Sequence, residues 1–218
     1  MEQIGKIIRI QEAEQCGTIA LPTGAHYSFQ FNELKGVSPQ HQSPVIFIAE
    51  HEQATNIREV FFSRDQQLVA DRPDHSHLHR NVRQLLPKAL MQISLMDRFT
   101  VEKTVHFPEN IGLQECVPTT AEDDVFYAVR EHRKGHSRFV RNKTPLPTNA
   151  LTVILKKHAQ HYRILTCFFG PKATVEPFDK RANRQAYDFW KNHALVEGAD
   201  PYDPDTVTSE CPWKIPSK

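Results

Sequence analysis

The chain has 218 residues, of which 39% are hydrophobic and 24% charged, a composition typical of a globular protein and not of a disordered one. Its formal net charge of +1 excludes a uniformly basic nucleic-acid coat, and no apolar run reaches the roughly 20 residues of a membrane-spanning helix. The four cysteines are scattered without a CxxC pair, which favours reduced thiols and a cytoplasmic location.

The first 71 residues predict an all-β domain. Five short apolar-rich segments, separated by Gly, Pro, Asn and Asp, have the spacing of strands: residues 4–10, 16–22, 26–31, 43–51 and 55–63. Five such strands fit a small Greek-key barrel. Tyr27, Phe29 and Phe31 alternate along the third strand, and we expect them to stack on RNA bases.

The segments GKIIRI, CGTI, YSFQF and PVIFIAEHEQATNIREV, in this order, resemble a cold-shock domain. That family is an OB-type barrel that binds single-stranded nucleic acid on exposed aromatic side chains, so the resemblance implies both the fold and the ligand. Where the family has its first aromatic motif, this sequence reads EQCGTIAL and has neither aromatic residue. The resemblance therefore implies the barrel more directly than it implies base stacking.

Residues 72–100 predict a helical connector. Asp74 is a candidate N-cap for a helix over residues 78–99, in which Pro87 is a kink or marks the true start. The apolar positions of this helix are Leu85, Leu86, Leu90, Ile93 and Met96. Alternating spacing would place His75, His77 and His79 on one face of a strand, but a solvated junction is the favoured interpretation and we expect no metal site.

Charge is distributed unevenly along the chain. Residues 132–175 contain no Asp or Glu, but nine Lys and Arg and four His. A solvated surface normally mixes charges of both signs. We therefore expect this segment to face a polyanion, and nucleic acid is the first candidate.

Residues 101–197 predict an α+β domain with a small antiparallel sheet, and residues 198–218 a tail. Two strands of a hairpin are predicted at 151–157 and 161–170. A helix is predicted over 183–196 from the spacing of Ala186, Phe189, Trp190 and Leu195. The expected architecture is thus a two-domain protein, with an all-β five-stranded OB-like barrel followed by an α+β domain.

A basic loop is predicted at residues 135–149, where His136, Arg138, Arg141 and Lys143 lie close together. Guanidinium groups bind phosphate oxygens bidentately, and imidazole transfers protons near neutral pH. RNA cleavage without a metal needs these groups: a base removes the 2'-hydroxyl proton, cations stabilise the charged transition state, and an acid protonates the departing 5'-oxygen. Basic clusters also bind phosphate without cutting, so binding and cleavage both stay open.

The run from residue 111 to 179, continued by FWKNHALV, resembles bacterial ribonuclease toxins of the barnase/EndoU/colicin/RelE-like superfamily. Their pattern is a short helical part, a basic His/Arg loop and a hairpin ending in Thr-x-Phe or Thr-x-Tyr. The resemblance implies a metal-independent endoribonuclease that needs no cofactor, has RNA as substrate and has an antitoxin or immunity protein as partner. The catalytic residues that it implies are His136, Arg138, Arg141, Thr166 and His193.

Further RNA-binding positions are expected at Arg133, Lys134, Lys143, Lys156 and Lys157, beside the barrel aromatics Tyr27, Phe29 and Phe31. Structural roles remain open for the catalytic candidates: His136 as a loop residue, Arg141 paired with a surface acid, Thr166 packed in a strand, and His193 stabilised at a helix end. Two other functions stay open. One is a non-catalytic RNA-binding or regulatory protein that uses the basic loop as a phosphate clamp, and the other is an interaction module whose basic face meets an acidic antitoxin.

Overall fold

The computed structural model describes residues 1–35, 38–71, 80–95, 98–131 and 133–213. Contacts divide the chain into two compact units. The first comprises Met1–Val105 and Val153–Cys167, and the second comprises His106–Thr152 and the chain from Phe168 onward. The boundaries predicted after residues 71, 100 and 197 remain predictions, because a division by contacts does not show which parts fold independently. No helix among the described residues is long and apolar enough to cross a membrane.

The first unit contains a closed five-stranded barrel, compatible with an OB-like fold. Its strands are β1 (Glu2–Gln11), β2 (Cys16–Ala20), β3 (His26–Gln30), β4 (Pro44–Glu50) and β5 (Gln53–Phe62). Antiparallel pairs join β3 to β2, β2 to β1, β1 to β4 and β4 to β5, and a parallel contact between Ser28 and Gln53 closes the ring from β3 to β5. The predicted five-stranded barrel is confirmed, because the period-two apolar pattern that fills a barrel is local in sequence.

Alternate residues of these strands fill the barrel. The buried core consists of Ile7, Ile19, Phe29, Val45, Phe47, Ala54 and Ile57. Gly17 lies directly against the Phe29 ring, and a Cβ atom at this position would overlap that ring. Asn56 takes a left-handed conformation (φ 50°) within β5, a backbone state that Asn adopts more readily than most residues. Its backbone N–H donates to the Glu33 carboxylate (2.9 Å), which holds the bend in place.

The rest of the first unit continues the sheet beyond the barrel. It contains β6 (Leu68–Ala70), α1 (Arg80–Leu90), β7 (Thr100–His106) and the parts of β13 (Ala150–His158) and β14 (His161–Phe169) that lie between residues 153 and 167. Strand β6 pairs antiparallel with β5 and parallel with β14. Asp74, His75, His77, His79 and Met96 lie outside the described residues.

Helix α1 is shorter than the predicted helix. It includes Pro87 and ends at Leu90, whereas the sequence predicted a helix continuing to residue 99. The next residues make tertiary hydrogen bonds instead: Arg64 N donates to Leu90 O (3.0 Å), and the Asp65 carboxylate accepts from Leu95 N (3.0 Å). These partners lie about 30 residues back along the chain, so local spacing did not reveal them.

The second unit is mostly β. It contains β8 (Gly112–Gln114), β9 (Cys116–Pro118), β10 (Val125–Val129), β11 (His136–Val140), β12 (Leu146–Thr148), α2 (Arg184–Lys191) and β15 (His193–Val196), with the remaining parts of β13 and β14. A four-stranded sheet has the order β10-β11-β15-β9, and β12 pairs with β8. The predicted α+β fold is not confirmed, since α2 is the one α-helix among the described residues of this unit.

Three local predictions in this unit need correction. The start of the predicted basic loop is a strand, because β11 lies between β10 and β15 and Phe139 and Val140 are fully buried. The segment before it is β10, whereas the ribonuclease-toxin pattern has a short helical part. Helix α2 ends at Lys191, so Leu195 belongs to β15, where it pairs with Phe139 and Cys116.

Candidate functional site

Arg138, a predicted phosphate ligand, lies in the protein interior. It is 7% exposed in the middle of β11, opposite Tyr127 of β10. Its Nη1 donates to Thr119 Oγ1 (2.7 Å), His193 O (3.1 Å) and Trp190 O (3.2 Å). Because Nη1 already donates to three protein acceptors, it cannot bind a phosphate without breaking these contacts, so Arg138 joins β11 to the chain around α2.

Arg130, which the sequence analysis did not single out, organises the neighbouring network. Its Nη groups contact the carboxylates of Glu176 and Asp200, and its Nε donates to Ser137 Oγ (2.9 Å). The Ser137 hydroxyl in turn donates to Glu176. Both Arg130 and Glu176 are 12% exposed, so this is a largely buried ion pair satisfied by hydrogen bonds. The acids of this network lie 39 to 70 residues from Ser137 and Arg130, which is why spacing gave no signal.

Arg141 and Lys143 are paired with acids of their own unit. The Arg141 guanidinium covers the Phe126 ring (4.1 Å to the centroid) and lies 3.5 Å from Asp124 and 3.6 Å from Glu197. Lys143 Nζ donates to Pro118 O (2.7 Å) and lies 3.0 Å from Asp123. Hydrogen bonds from Thr120 and the nearby Lys143 charge hold the pKa of Asp123 below its usual value. The structure thus shows the pairing of Arg141 with surface acids that the sequence left open.

Thr166 belongs to the first unit, and His193 contacts Phe189 of the second unit. Thr166 lies in the part of β14 that belongs to the first unit, and it is half-buried. His193 begins β15 and stacks face to face on Phe189, with ring centroids 4.0 Å apart. Its Nδ1 lies 3.0 Å from Phe189 O, an acceptor, so Nδ1 carries the proton. This contact supports the structural alternative for His193, at the end of α2.

The chain after residue 196 is acidic and packs on the sheet of the second unit. Residues 197–213 contain five Asp or Glu and no Lys or Arg. They pair with the edge of β10 through bridges from Tyr127 to Thr208 and from Arg130 to Tyr202. Tyr202 also packs edge-on against the Phe126 ring. The described part of the predicted tail is therefore attached to the sheet, and its Glu197 lies 3.6 Å from Arg141 of the basic segment.

His136 lines a cleft of about 320 Å³ in the second unit. The other lining residues are Gly135, Pro177, Phe178, Tyr187, Pro212 and Trp213, and we call this the His136 cleft. Trp213 packs edge-to-face on Tyr127 (5.0 Å) and on Tyr187 (6.5 Å), and its indole Nε1 donates to the backbone oxygen of His136 (2.9 Å). Gly135 is needed here, because a Cβ atom would overlap the Phe178 ring.

The orientation of the His136 ring follows from its partner. Nε2 lies 3.2 Å from Thr206 O, and a carbonyl oxygen only accepts, so Nε2 carries a proton. In the neutral ring Nδ1 is then the nitrogen with a lone pair. This tautomer leaves His136 with a proton acceptor, the property required of a general base.

Exposed cations adjoin the His136 cleft. Arg133 and Lys134 immediately precede Gly135, and both are exposed. Arg181 contacts Asp179, which follows Phe178. Hydrogen bonds from the side chain and backbone of Arg181, with the Arg133 charge nearby, lower the pKa of Asp179 far below its usual value. Arg133 therefore lies within electrostatic reach of the Phe178 side of the cleft.

Of the expected base-stacking residues of the barrel, Phe29 is buried, and Tyr27 and Phe31 are partly buried. Phe29 is 3% exposed, and Tyr27 and Phe31 pack against the same core. Phe29 stacks on Phe31 (6.2 Å), and the Tyr27 ring packs against Phe47 in a tilted arrangement (5.3 Å). The buried ring of Phe29 has no face to offer a base, whereas a base-stacking role for the partly buried Tyr27 and Phe31 remains a prediction. Of the expected basic positions in the first unit, Lys156 is exposed above the Phe99 ring (5.3 Å) and Lys157 is half-buried.

One group of three side chains among the described residues has ligand atoms close enough to share a metal ion. It consists of Glu2, His158 and His161 in the first unit, and none of these lines the His136 cleft. Comparisons with family models, with curated proteins and with solved structures gave no match to this chain.

Proposed function

We propose that the protein binds single-stranded RNA and that the His136 cleft holds an unpaired base. The observation that carries this proposal is the lining of the cleft: Phe178, Tyr187 and Trp213 surround one opening beside His136. Unpaired bases bind proteins by stacking on aromatic rings, at about 1–3 kcal/mol per base. The volume of about 320 Å³ is within the range of small-ligand sites.

Arg133 and Lys134 supply the charge for the RNA backbone. They are exposed and precede Gly135, so a nucleotide whose base enters the cleft would place its phosphate near them. A second cavity of comparable volume, in the second unit, fits RNA less well. It measures about 380 Å³ and is lined in part by Glu131 and Asp203, which would repel a phosphate.

Cleavage is the second candidate function, and the tautomer of His136 favours it. With Nε2–H donated to Thr206 O, Nδ1 can take the proton of a ribose 2'-hydroxyl. The 2'-oxygen then attacks the adjacent phosphorus and the bond to the 5'-oxygen breaks, leaving a 2',3'-cyclic phosphate. The 5'-oxygen takes a proton from water, and the His136 imidazolium gives its proton to the hydroxide that forms. Arg133 and Lys134 would stabilise the negative charge on the phosphate oxygens in the transition state. They would take the role predicted for Arg138, which is buried, and for Arg141, which is paired with acids.

Binding is tested with a fluorescently labelled, unstructured RNA oligonucleotide and the full chain. Trp213→Ala removes one stacking ring and should weaken binding about tenfold. Phe62→Ala is the matched control, since Phe62 is an exposed aromatic of the first unit, at 41%. Equal affinities for wild type and Trp213→Ala would contradict the proposal.

Cleavage is tested by incubating total bacterial RNA with the protein in EDTA. New ends that carry cyclic phosphates, present with wild type and His106→Ala but absent with His136→Ala, would establish a metal-independent ribonuclease. His106 is a suitable control because it is an exposed histidine of the second unit. If the RNA stays intact but still binds the protein, the result contradicts cleavage and supports the non-catalytic RNA-binding function. A toxin role, with a neutralising partner protein, would be considered only after cleavage is seen.

A further inference from the structure

Three side chains of the first unit, Glu2, His158 and His161, lie close together and are not part of the proposed RNA site. His158 ends β13 and His161 begins β14, so the two flank the tight turn of the hairpin. Ala159 in that turn is left-handed (φ 51°), and the two imidazole rings lie 5.3 Å apart. Glu2, near the start of β1, is close to the same point, with Oε2 3.7 Å from His161 Nε2.

His161 has an unsatisfied polar atom in a buried position. Its side chain is 6% exposed, and its buried Nε2 has no hydrogen-bond partner. The nearest carboxylate oxygen, Glu2 Oε2 at 3.7 Å, is beyond hydrogen-bonding distance. Buried polar atoms are almost always satisfied, so a nitrogen without a partner beside a carboxylate indicates a missing ligand between them.

We propose that Glu2, His158 and His161 bind one zinc ion. Their ligand atoms already lie within 4.8 Å of one another. Zinc bonds to nitrogen and oxygen are about 2.0–2.2 Å long, so closing the site needs a shift of about 1 Å. His158 is exposed and its side chain can make that movement. Two imidazoles and one carboxylate suit zinc, with solvent in the fourth position, whereas Mg²⁺ and Ca²⁺ prefer oxygen ligands alone.

The residues around Glu2 have two opposite effects on zinc binding. Arg58 contacts Glu2 Oε1, and Arg163 Nη2 donates to Oε2 (3.0 Å), so the carboxylate is held in one orientation. Partners of this kind orient ligands and assist metal binding. The same two guanidinium charges repel a cation, and Arg58 is fully buried. We therefore expect micromolar affinity, weaker than that of a structural site with four protein ligands.

The ion would connect distant parts of the chain. Glu2 precedes His158 and His161 by more than 150 residues, and zinc would join β1 to the β13–β14 turn. A ligand that binds only the folded chain raises its stability. We expect zinc to raise the melting temperature of the full chain, and this effect to be independent of RNA.

The test uses the full chain after treatment with EDTA and removal of the chelator. Zinc binding is measured by competition with a chromophoric chelator, and melting temperatures are measured with and without ZnCl₂. Wild type should bind one equivalent, and His158→Ala should bind at least tenfold more weakly and lose the thermal shift. His26→Ala is the matched control, since His26 is an exposed strand histidine of the same unit.

Cobalt binding gives a second readout. Co²⁺ in a site with two imidazoles and a carboxylate has visible absorption bands, which His158→Ala should remove and His26→Ala should keep. Failure of wild type to bind zinc in the micromolar range, or equal affinity of wild type and His158→Ala, would overturn the proposal. Neither result affects the RNA site, because Glu2, His158 and His161 do not line the His136 cleft.

Discussion

Arg138 is a residue whose sequence context predicts phosphate binding but whose hydrogen bonds stabilise the fold. Beside His136 in the sequence it suggests phosphate binding, but its Nη1 donates to Thr119, Trp190 and His193. The last two acceptors lie 52 and 55 residues further along the chain. Sequence spacing shows which groups are available, but it does not show which way a strand turns them.

Arg138→Ala should therefore destabilise the protein by about 3 kcal/mol, because three acceptors lose a charged donor. Urea unfolding measures this loss. Arg133→Ala is the matched variant, since Arg133 is exposed; it should leave stability unchanged and weaken RNA binding. If Arg138→Ala retained full stability but lost RNA binding, Arg138 would be a phosphate ligand after all.

Tyr127 gives a pH-dependent prediction. Burial, with a hydrogen bond to Cys211, raises the pKa of Tyr127 to about 12, above its unfolded value of 10.0. The neutral phenol is thus favoured in the folded state, so its contribution to stability is complete below pH 10 and is lost as the pH rises toward 12. Between pH 8 and pH 11 the wild type should lose roughly 1 kcal/mol more free energy of unfolding than Tyr127→Phe. Equal losses in urea titrations would show that the phenol does not titrate this way.

At the scale of elements, the barrel was predictable and the second unit less so. Alternate residues of a strand point to the same face, and apolar residues such as Ile7 and Ile19 enter the core by that rule. In the second unit β11 is central, so His136–Val140 has no alternation to read. Its neighbour β15 comes more than 50 residues later, and the sequence analysis assigned that segment to a helix.

The end of α1 depends on Asp65. Its carboxylate accepts from Leu95 N (3.0 Å) and Ser94 Oγ (3.3 Å), which fixes the chain after the helix. Asp65→Ala should cost about 2 kcal/mol of stability, and it should speed hydrogen exchange at the Leu95 amide. Glu12→Ala, at an exposed position, is the control. Unchanged exchange at Leu95 would show that other contacts hold this segment.

For the whole molecule, the positive charge of residues 132–175 was predictable from the sequence, but the groups that pair with it were not. The acid-free stretch from 132 to 175 implies a polyanion, yet Arg141 and Lys143 are paired with Asp124, Glu197 and Asp123. Which cations remain exposed depends on acids elsewhere in the chain. The candidate RNA site is accordingly the aromatic cleft, which the sequence analysis did not assemble because its rings come from three separate segments.

RNA binding should therefore depend only modestly on salt. Two exposed cations, Arg133 and Lys134, imply a slope of log affinity against log salt of about −1.4 for a single strand. Replacing both with Gln should remove most of that slope, whereas Arg141→Gln should change it little because Arg141 is already paired. A steep slope that persists in the double variant would place the phosphate contacts elsewhere.

The most direct measurement of base binding in the His136 cleft is photocrosslinking. A single-stranded RNA that carries 4-thiouridine is irradiated with the full chain, and the attached peptides are identified by mass spectrometry. Crosslinks should fall on Phe178, Tyr187 or Trp213, which line the cleft. Crosslinks confined to exposed rings of the first unit, such as Phe62 and Phe99, would contradict base binding in the cleft and return the RNA site to the first unit.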